Sequence, residues 1–284
     1  MQSSNKITLV LGGSGKTGRK VAERLAHRGI ATRIGSRSAQ PAFDWEDPGT
    51  WPLALQDTES VYVTYQPDLA FPGAAENVNS FTKLAVESGV QRIVLLSGRG
   101  EEGALLSEKA VQDSGVEWTI VRASFFCQNF SEGSLLEPLL TGEFAFPAGN
   151  VQEPFIDTDD IADTATAALT DGRHAGKIYE VTGPRLLTFA EAVQEIAKAT
   201  GREIRYLPVS LDQYLAALLE HGVPADFATP LVALFASVLD GRNASLTDGV
   251  QRALGRQPKD FSDYVRETAA TDVWVPSATV GARL

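Results

Sequence analysis

Ile7-Thr-Leu-Val-Leu-Gly-Gly-Ser-Gly-Lys-Thr-Gly18 is the stretch on which the reading of the fold turns. A nearly unbroken apolar run enters a glycine-rich turn, after which Val21, Ala22, Leu25 and Ala26 recur at helical spacing. The order is strand, tight turn, helix. Gly12, Gly15 and Gly18 are spaced G-x-x-G-x-x-G, and Gly13, Gly15 and Gly18 also satisfy G-x-G-x-x-G. Without side chains, such a turn lets the backbone close on a pyrophosphate lying at the positive end of the following helix. Gly15-Lys16-Thr17 also imitates the end of a triphosphate-binding loop, G-x-x-x-x-G-K-[ST]. That reading fails, because its first glycine would have to replace Val10 inside the strand. The turn therefore points to a dinucleotide, with Gly12, Ser14, Gly15, Lys16, Thr17 and Gly18 as candidate contacts to its phosphates.

The alternation continues downstream. Strands are expected at residues 31–34, near Phe43, and at 61–64, 92–96 and 118–121, with helices over about 74–88 and 105–114. Runs as uniformly apolar as Ile93-Val-Leu-Leu96 belong to strands covered on both faces, so the pattern implies a parallel sheet between helix layers. After Gly149 the rhythm changes to helices over 159–169, 188–200, 211–221, 224–239 and 246–254, with short strands at 177–181 and 204–207. The expected fold class is α/β: a doubly wound parallel sheet with a smaller, mostly helical C-terminal substrate domain. Residues 1–150 make the nucleotide-binding domain, 151–182 add to its sheet, 183–276 form the helical cap and 277–284 a disordered tail. Ligands of such sheets bind outside the carboxyl ends of the strands.

Composition narrows the partners. The 284 residues are 43% hydrophobic and 21% charged, enough apolar side chain for a sizeable core. A net charge of −11 offers no overall positive field for nucleic acid or anionic lipid. Cys127 is the only cysteine, which excludes an intramolecular disulfide and reads as a small buried hydrophobe. No basic-apolar leader precedes the first strand and no apolar run reaches the ~20 residues of a membrane span. The expectation is a soluble cytoplasmic protein, monomer or homodimer, that takes a small-molecule substrate. His27, His174 and His221 are scattered, so no metal site or nucleophilic triad is indicated. Asp157, Asp159 and Asp160 form an acidic cluster that resembles a Ca²⁺ or acid/base site, better explained by Asp159 or Asp160 capping the helix that begins at Ile161-Ala162, where the dipole favours them.

The end of the second strand discriminates between cofactors. An NAD site places an acid there for the ribose hydroxyls, whereas this chain has Ile34-Gly35-Ser36-Arg37. Arg37 can fork onto a 2′-phosphate and Ser36 can donate to it, which favours NADP(H).

Taken with this turn, Asp44-Trp45, Trp118-Thr-Ile-Val-Arg122, Phe125-Phe-Cys-Gln-Asn129, Phe155-Ile-Asp-Thr-Asp-Asp-Ile-Ala162 and Tyr179-Glu-Val-Thr-Gly-Pro184 form a recognisable set. Asp240-Gly-Arg242, Thr247-Asp-Gly-Val250 and Leu254-Gly-Arg-Gln-Pro258 with Phe261 extend it to the C-terminal part. Over nearly its whole length the chain resembles the NmrA-like branch of the atypical short-chain dehydrogenase/reductases, in the subgroup with the ergot-alkaloid iminium reductases. The resemblance implies a Rossmann-type NADP-binding domain and a small helical domain, with substrate between them. It implies that Asp44 and Trp45 flank the adenine, Trp45 being alternatively a core aromatic. Thr64, Tyr65 and Pro67 would line the ribose and pyrophosphate, and Ser97, Gly98 and Arg99 would lie near the nicotinamide. Phe125, Phe126 and Asn129 would line the substrate cleft, the two phenylalanines equally serving as packing.

The usual acid of short-chain dehydrogenases is a tyrosine followed four residues later by a lysine. None of the tyrosines at 62, 65, 179, 206, 214 and 264 has that partner. Matching Glu108 and Val111 to the family pattern puts Ala104 where related reductases carry a lysine, and leaves Lys109 a solvated helix residue. Hydride transfer survives this loss, since an iminium needs no proton in that step and a quinone yields a stabilised anion. Ser97 or Tyr65 is the expected group to orient substrate or relay a proton. The expected activity is NADPH-dependent hydride transfer to an iminium, quinone or enone-like electrophile. The alternative is a non-catalytic NADP(H)-sensing regulatory protein.

Overall fold

A computed structural model describes residues 6–276. The tail expected at 277–284 lies outside the described residues. The chain divides into two compact units. The first takes the chain up to Ala123, then Thr158–Val181 and Thr247–Gln257; the second takes Ser124–Asp157, Thr182–Leu246 and the chain from Pro258 on. Chain order and unit order therefore interleave.

The first unit opens with β1 (Ile7–Leu11), α1 (Gly18–His27), β2 (Thr32–Gly35), α2 (Trp51–Leu55) and β3 (Thr58–Val63). It continues with α3 (Ala74–Glu87), β4 (Arg92–Gly98), α4 (Leu105–Gln112) and β5 (Glu117–Ala123). The second unit follows with α5 (Leu136–Thr141), β6 (Glu143–Phe146) and β7 (Gln152–Glu153). The chain then returns to the first unit for α6 (Thr158–Thr170) and β8 (Lys177–Val181). Next come β9 (Leu187–Thr188), α7 (Phe189–Thr200), β10 (Arg205–Pro208), α8 (Leu211–Glu220) and α9 (Ala225–Val238) in the second. Last are α10 (Gly249–Leu254) in the first and α11 (Phe261–Ala269) in the second.

Six parallel strands order as β2-β1-β3-β4-β5-β8. The apolar runs of β1, β3 and β4 are buried, as expected for strands with helices on both faces. The chain leaves β1 outward to β2 and returns on β1's other side as β3, so the strand order reverses between β1 and β3. That reversal is where an open sheet leaves a crevice at its carboxyl edge.

The strand expected near Phe43 does not form. Phe43 is buried by rings: edge-on to Trp45 at 5.0 Å and Phe81 at 5.6 Å, and stacked on Trp51 at 6.2 Å. Aromatic contacts on that scale bury a residue without ladder hydrogen bonds. The local pairing is an isolated bridge between Asp44 and Asp47, and the third strand of the sheet is β3.

The second unit has its own core of Phe130, Phe144, Phe146, Phe155, Phe189 and Phe261, closed by Trp274, whose Nε1 donates to the Phe130 carbonyl at 2.8 Å. Capping boxes start two of its helices, Thr188 with Glu191 before α7 and Ser210 with Gln213 before α8. Arg185 ties α7 to the start of α11 by bonds to both Glu195 and Asp260. Cys127 is buried and outside any disulfide, and among the described residues no helix is long and apolar enough to cross a membrane.

Because rings rather than a sheet ladder hold residues 43–51 to the core, Phe43→Ala is expected to cost about 3–5 kcal/mol in a urea titration. A cost below about 1 kcal/mol would show that the cluster does not bear the segment's burial.

Candidate functional site

The crevice between β1 and β3 is built by atoms that leave no room for a Cβ. Gly12 has φ +62°, and a Cβ there would stand 2.4 Å from Thr64 Oγ1. That hydroxyl donates to the Leu11 carbonyl at 3.2 Å, fixing the start of the turn to the end of β3. A Cβ on Gly18 would come within 2.2 Å of the Gly12 carbonyl oxygen, so α1 packs directly on the turn. Ser14 and Gly15 lie exposed on its outer side. The N-terminus of α1 has no side-chain cap and no acid in its first turn, so its positive end is suited to an external anion. These features fit the pyrophosphate of a dinucleotide. Thr17 is the exception among the expected phosphate contacts, because its hydroxyl is buried and accepts from the Tyr62 phenol at 3.1 Å. Burial of Tyr62 pushes that phenol well up from its ordinary value.

At the end of β2, Ser36 lies beside Ser38 and Arg37 is exposed, without an acidic partner among the described residues. Asp44 accepts from the Glu46 amide at 3.1 Å. Trp45 sits among Phe43, Trp51, Tyr65 and Phe81, and its Nε1 donates to the Thr64 carbonyl at 3.0 Å. Its indole is thus a core aromatic that also steadies the end of β3.

Tyr65 leans on Trp45 at 4.9 Å, and its hydroxyl accepts from Asn77 Nδ2 on α3 at 2.9 Å, which leaves the phenolic proton uncommitted by that bond. Pro67 is exposed in the same loop. Ser97, near the end of β4, is buried and donates to Glu108 Oε1 at 2.7 Å. Glu108 is gripped in turn by Arg122 of β5, through Nε at 2.8 Å and Nη2 at 2.6 Å. Arg122 and Arg99 both reach Glu180 of β8, at 3.3 and 3.4 Å. The hydrogen bond to Glu108, offset in part by burial, raises the Arg122 guanidinium further. The network runs across β4, α4, β5 and β8, and commits the Ser97 proton to Glu108 while leaving its lone pairs. Gly98 follows at the strand end. Sequence reasoning used Glu108 only as a marker; its pairing with Arg122 depends on register that spacing does not reveal. Ala104 is buried, and Lys109 is exposed and paired with Asp113 at 2.7 Å.

In the second unit Phe125 is half-buried, edge-on to Phe189 at 5.2 Å and Phe155 at 5.9 Å. Phe126 bridges to Ile156, and Asn129 donates its backbone amide to the Phe126 carbonyl. Asp157 is fully buried between Gln128 Nε2 at 2.9 Å and Lys259 Nζ at 3.2 Å. In the first unit, Asp159 and Asp160 occupy the first turn of α6. Asp159 pairs with Lys20 and Arg24 at 3.0 and 2.8 Å, and Asp160 with Arg256 at 2.6 Å. The acids thus serve ion pairs as well as the dipole, and among the described residues no group of three candidate ligands could hold a metal.

No family model matches the chain. It is 30% identical over 283 residues to "Prestalk A differentiation protein A" of Dictyostelium discoideum, covering 94% of this chain and 93% of that one. Agroclavine dehydrogenase of Claviceps fusiformis is 30% identical, with 94% of this chain and 98% of that one covered. NAD(P)H azoreductase of Xenophilus azovorans is also 30% identical, over 93% and 98%. Among solved structures, triphenylmethane reductase of Citrobacter sp. complexed with NADP(H) superposes with a TM-score of 0.72 at 19% identity, over 93% of this chain and 99% of that one. NADPH-dependent quinone oxidoreductase of Escherichia coli complexed with NADPH gives 0.73 at 21%, over 92% and 99%.

Removing Glu108 would leave the Arg122 guanidinium with only its longer contact to Glu180 at 3.3 Å. Glu108→Ala is expected to cost about 3–5 kcal/mol and Ser97→Ala about 1–3 kcal/mol, read by denaturant titration; equal small losses would mean the clamp is not formed. Asp159 offers a pH test. Burial works to raise its carboxyl, but Arg24 and Lys20 outweigh burial and bring it down from 3.8 to about 2. A depressed folded value contributes stability above the unfolded value and loses it as pH falls through the folded one. Thermal stability should therefore decline between about pH 4 and pH 2, and less so in Asp159→Asn.

Proposed function

The chain belongs to the NmrA-like branch of the atypical short-chain dehydrogenase/reductases, and from that premise we propose that it is an NADPH-dependent reductase of small organic electrophiles of the iminium, quinone or enone type. The carrying observation is a turn with no room for a Cβ at Gly12 or Gly18, beneath an uncapped helix start and joined to an exposed Arg37 at the end of β2 that has no acidic partner among the described residues. The names of the relatives, a dehydrogenase and an azoreductase, support the reading.

Gly12 to Gly18, with Ser14 and Lys16, hold the pyrophosphate; Thr17 contributes backbone rather than hydroxyl. Arg37 forks onto the 2′-phosphate with Ser36 beside it, since a guanidinium matches phosphate oxygens in a bidentate manner. Asp44 and Trp45 bound the adenine side, Thr64 and Pro67 the ribose, and Gly98 and Arg99 the nicotinamide side. The reduced nicotinamide supplies the hydride when bound. Ser97, its proton held by Glu108, presents an acceptor that orients a donor such as a carboxamide. Tyr65, held by Asn77, directs a hydroxyl at the substrate's polar atom. Phe125, Phe126 and Asn129 are assigned to substrate contact. Fixing an electrophile against the hydride source supplies several kcal/mol through proximity, up to roughly 7–11 kcal/mol in the best intramolecular cases. A non-catalytic NADP(H) sensor is the second reading, favoured by the buried methyl of Ala104 where related reductases place a lysine.

Titration calorimetry should show NADPH binding, weakened about 10- to 150-fold in Arg37→Ala, the equivalent of ~1.5–3 kcal/mol, with NADH affinity unchanged. Mixing with iminium, quinone and enone acceptors should consume reduced nicotinamide. Binding without turnover on any acceptor favours the sensor, and no binding of either nucleotide overturns both readings.

A further inference from the structure

One face of the first unit has no part in the function described so far. α3 and α4 pack side by side, and a groove of about 590 Å³ runs between them, walled by these two helices and Ser114. α3 buries Val78, Phe81 and Ala85 in the core of the unit, and lines the groove with Ala75, Asn79, Thr82 and Val86. Those four are spaced 4-3-4, the interval of a seam that packs against another helix. α4 adds Leu106, Ala110 and Asp113, spaced 4-3. Leu106 is 67% exposed although a solvated helix face ordinarily carries polar residues. At the floor, the buried Oγ1 of Thr82 has no hydrogen-bond partner among the described residues. A buried hydroxyl is normally paired, so this one asks for a group from outside the chain. Glu76 and Lys83 each follow a seam residue and so flank it on one side; both are exposed, and neither has an ion-pair partner among the described residues.

We propose that this face is an isologous interface between two copies of the chain, with α3 of each lying antiparallel to α3 of the other along the groove. A 4-3-4 stripe reads the same in both directions. Turned about a two-fold axis level with Ser80 and Phe81, it sets Ala75 against Val86 of the partner subunit and Asn79 against Thr82 of the partner subunit. The Asn79 amide then meets the orphan hydroxyl. The same rotation brings Glu76 to Lys83 of the partner subunit, and symmetry makes that contact twice. The charge pattern selects the occupant: a foreign helix could fill an apolar seam, but this chain itself carries both signs at the spacing that complements them. Leu106 of α4 closes the side of the contact as an apolar wall. The same two helices carry Asn77, which holds Tyr65, and Glu108, which holds Ser97, so the interface backs the elements of the candidate site. The proposal needs no nucleotide and stands apart from the reductase reading.

Sedimentation velocity of the full chain over a dilution series tests it. The wild type should show a species of twice the chain mass that dissociates on dilution. Glu76→Lys or Lys83→Glu alone sets like charges across the axis at two places and should weaken the dimer about 10-fold or more. The double reversal, Glu76→Lys with Lys83→Glu, should restore it. Mixing the two single variants should give a heterodimer, because each then offers the charge the other lacks. Neither rescue follows from a purely structural role within one chain. Leu106→Asp, made at an exposed side chain, should also favour the monomer, and together with the double reversal it carries the test if a single reversal fails to fold. A wild type that stays monomeric at every concentration leaves the groove to some other partner and overturns the proposal. So does a dimer indifferent to all of these substitutions, which must use another face, and so does a loss that neither the double reversal nor mixing repairs.

Discussion

Two close approaches organise the first unit: the Gly12 carbonyl fills the space where a Cβ on Gly18 would stand, and the Thr64 hydroxyl fills that of a Cβ on Gly12. The turn can then be short enough for α1 to begin directly over the end of β1, and Thr64 can insert its hydroxyl and bond Leu11. Strand, turn, helix and the neighbouring strand end are locked by contacts that any side chain would prevent. The same absence of side chains puts backbone N–H groups and a helix dipole at the surface, where an anion offsets them. Packing and binding thus rest on the same residues.

A second constraint couples the sheet to the chemistry at its edge. Glu108 is buried, and a buried carboxylate persists only with strong partners. Arg122 provides a two-point grip and Ser97 a third bond. The arrangement fixes the Ser97 rotamer through strand register, since Ser97 pairs with Arg122 across β4 and β5. A hydroxyl whose hydrogen is taken by a buried carboxylate is an oriented acceptor, which separates it from the role of a proton source.

The glycine turn, the apolar runs and the helices of the sheet region were legible because period and turn chemistry are local. The false strand near Phe43 shows the limit: apolar residues bounded by turn formers read alike whether burial comes from a ladder or from rings. Strand β6, helix α11 and the pairing of β6 with β10 escaped notice for a related reason. Glu143-Phe-Ala-Phe146 is short, and its partner lies some sixty residues away. In the site, Arg37 and the turn were readable from position, whereas Thr17's inward hydroxyl, Glu108's clamp and the Asp68–Glu101 contact are products of tertiary register.

The two glutamates beside β4 make the general point. Glu101 and Glu108 are seven residues apart in sequence and have opposite electrostatic surroundings. Glu108 faces a guanidinium at 2.6 Å, whereas burial and then the neighbouring Asp68 carboxyl push Glu101 above the usual carboxylate range. The two are not independent, because Glu108 is among the groups that raise the Glu101 carboxyl, after burial and Asp68.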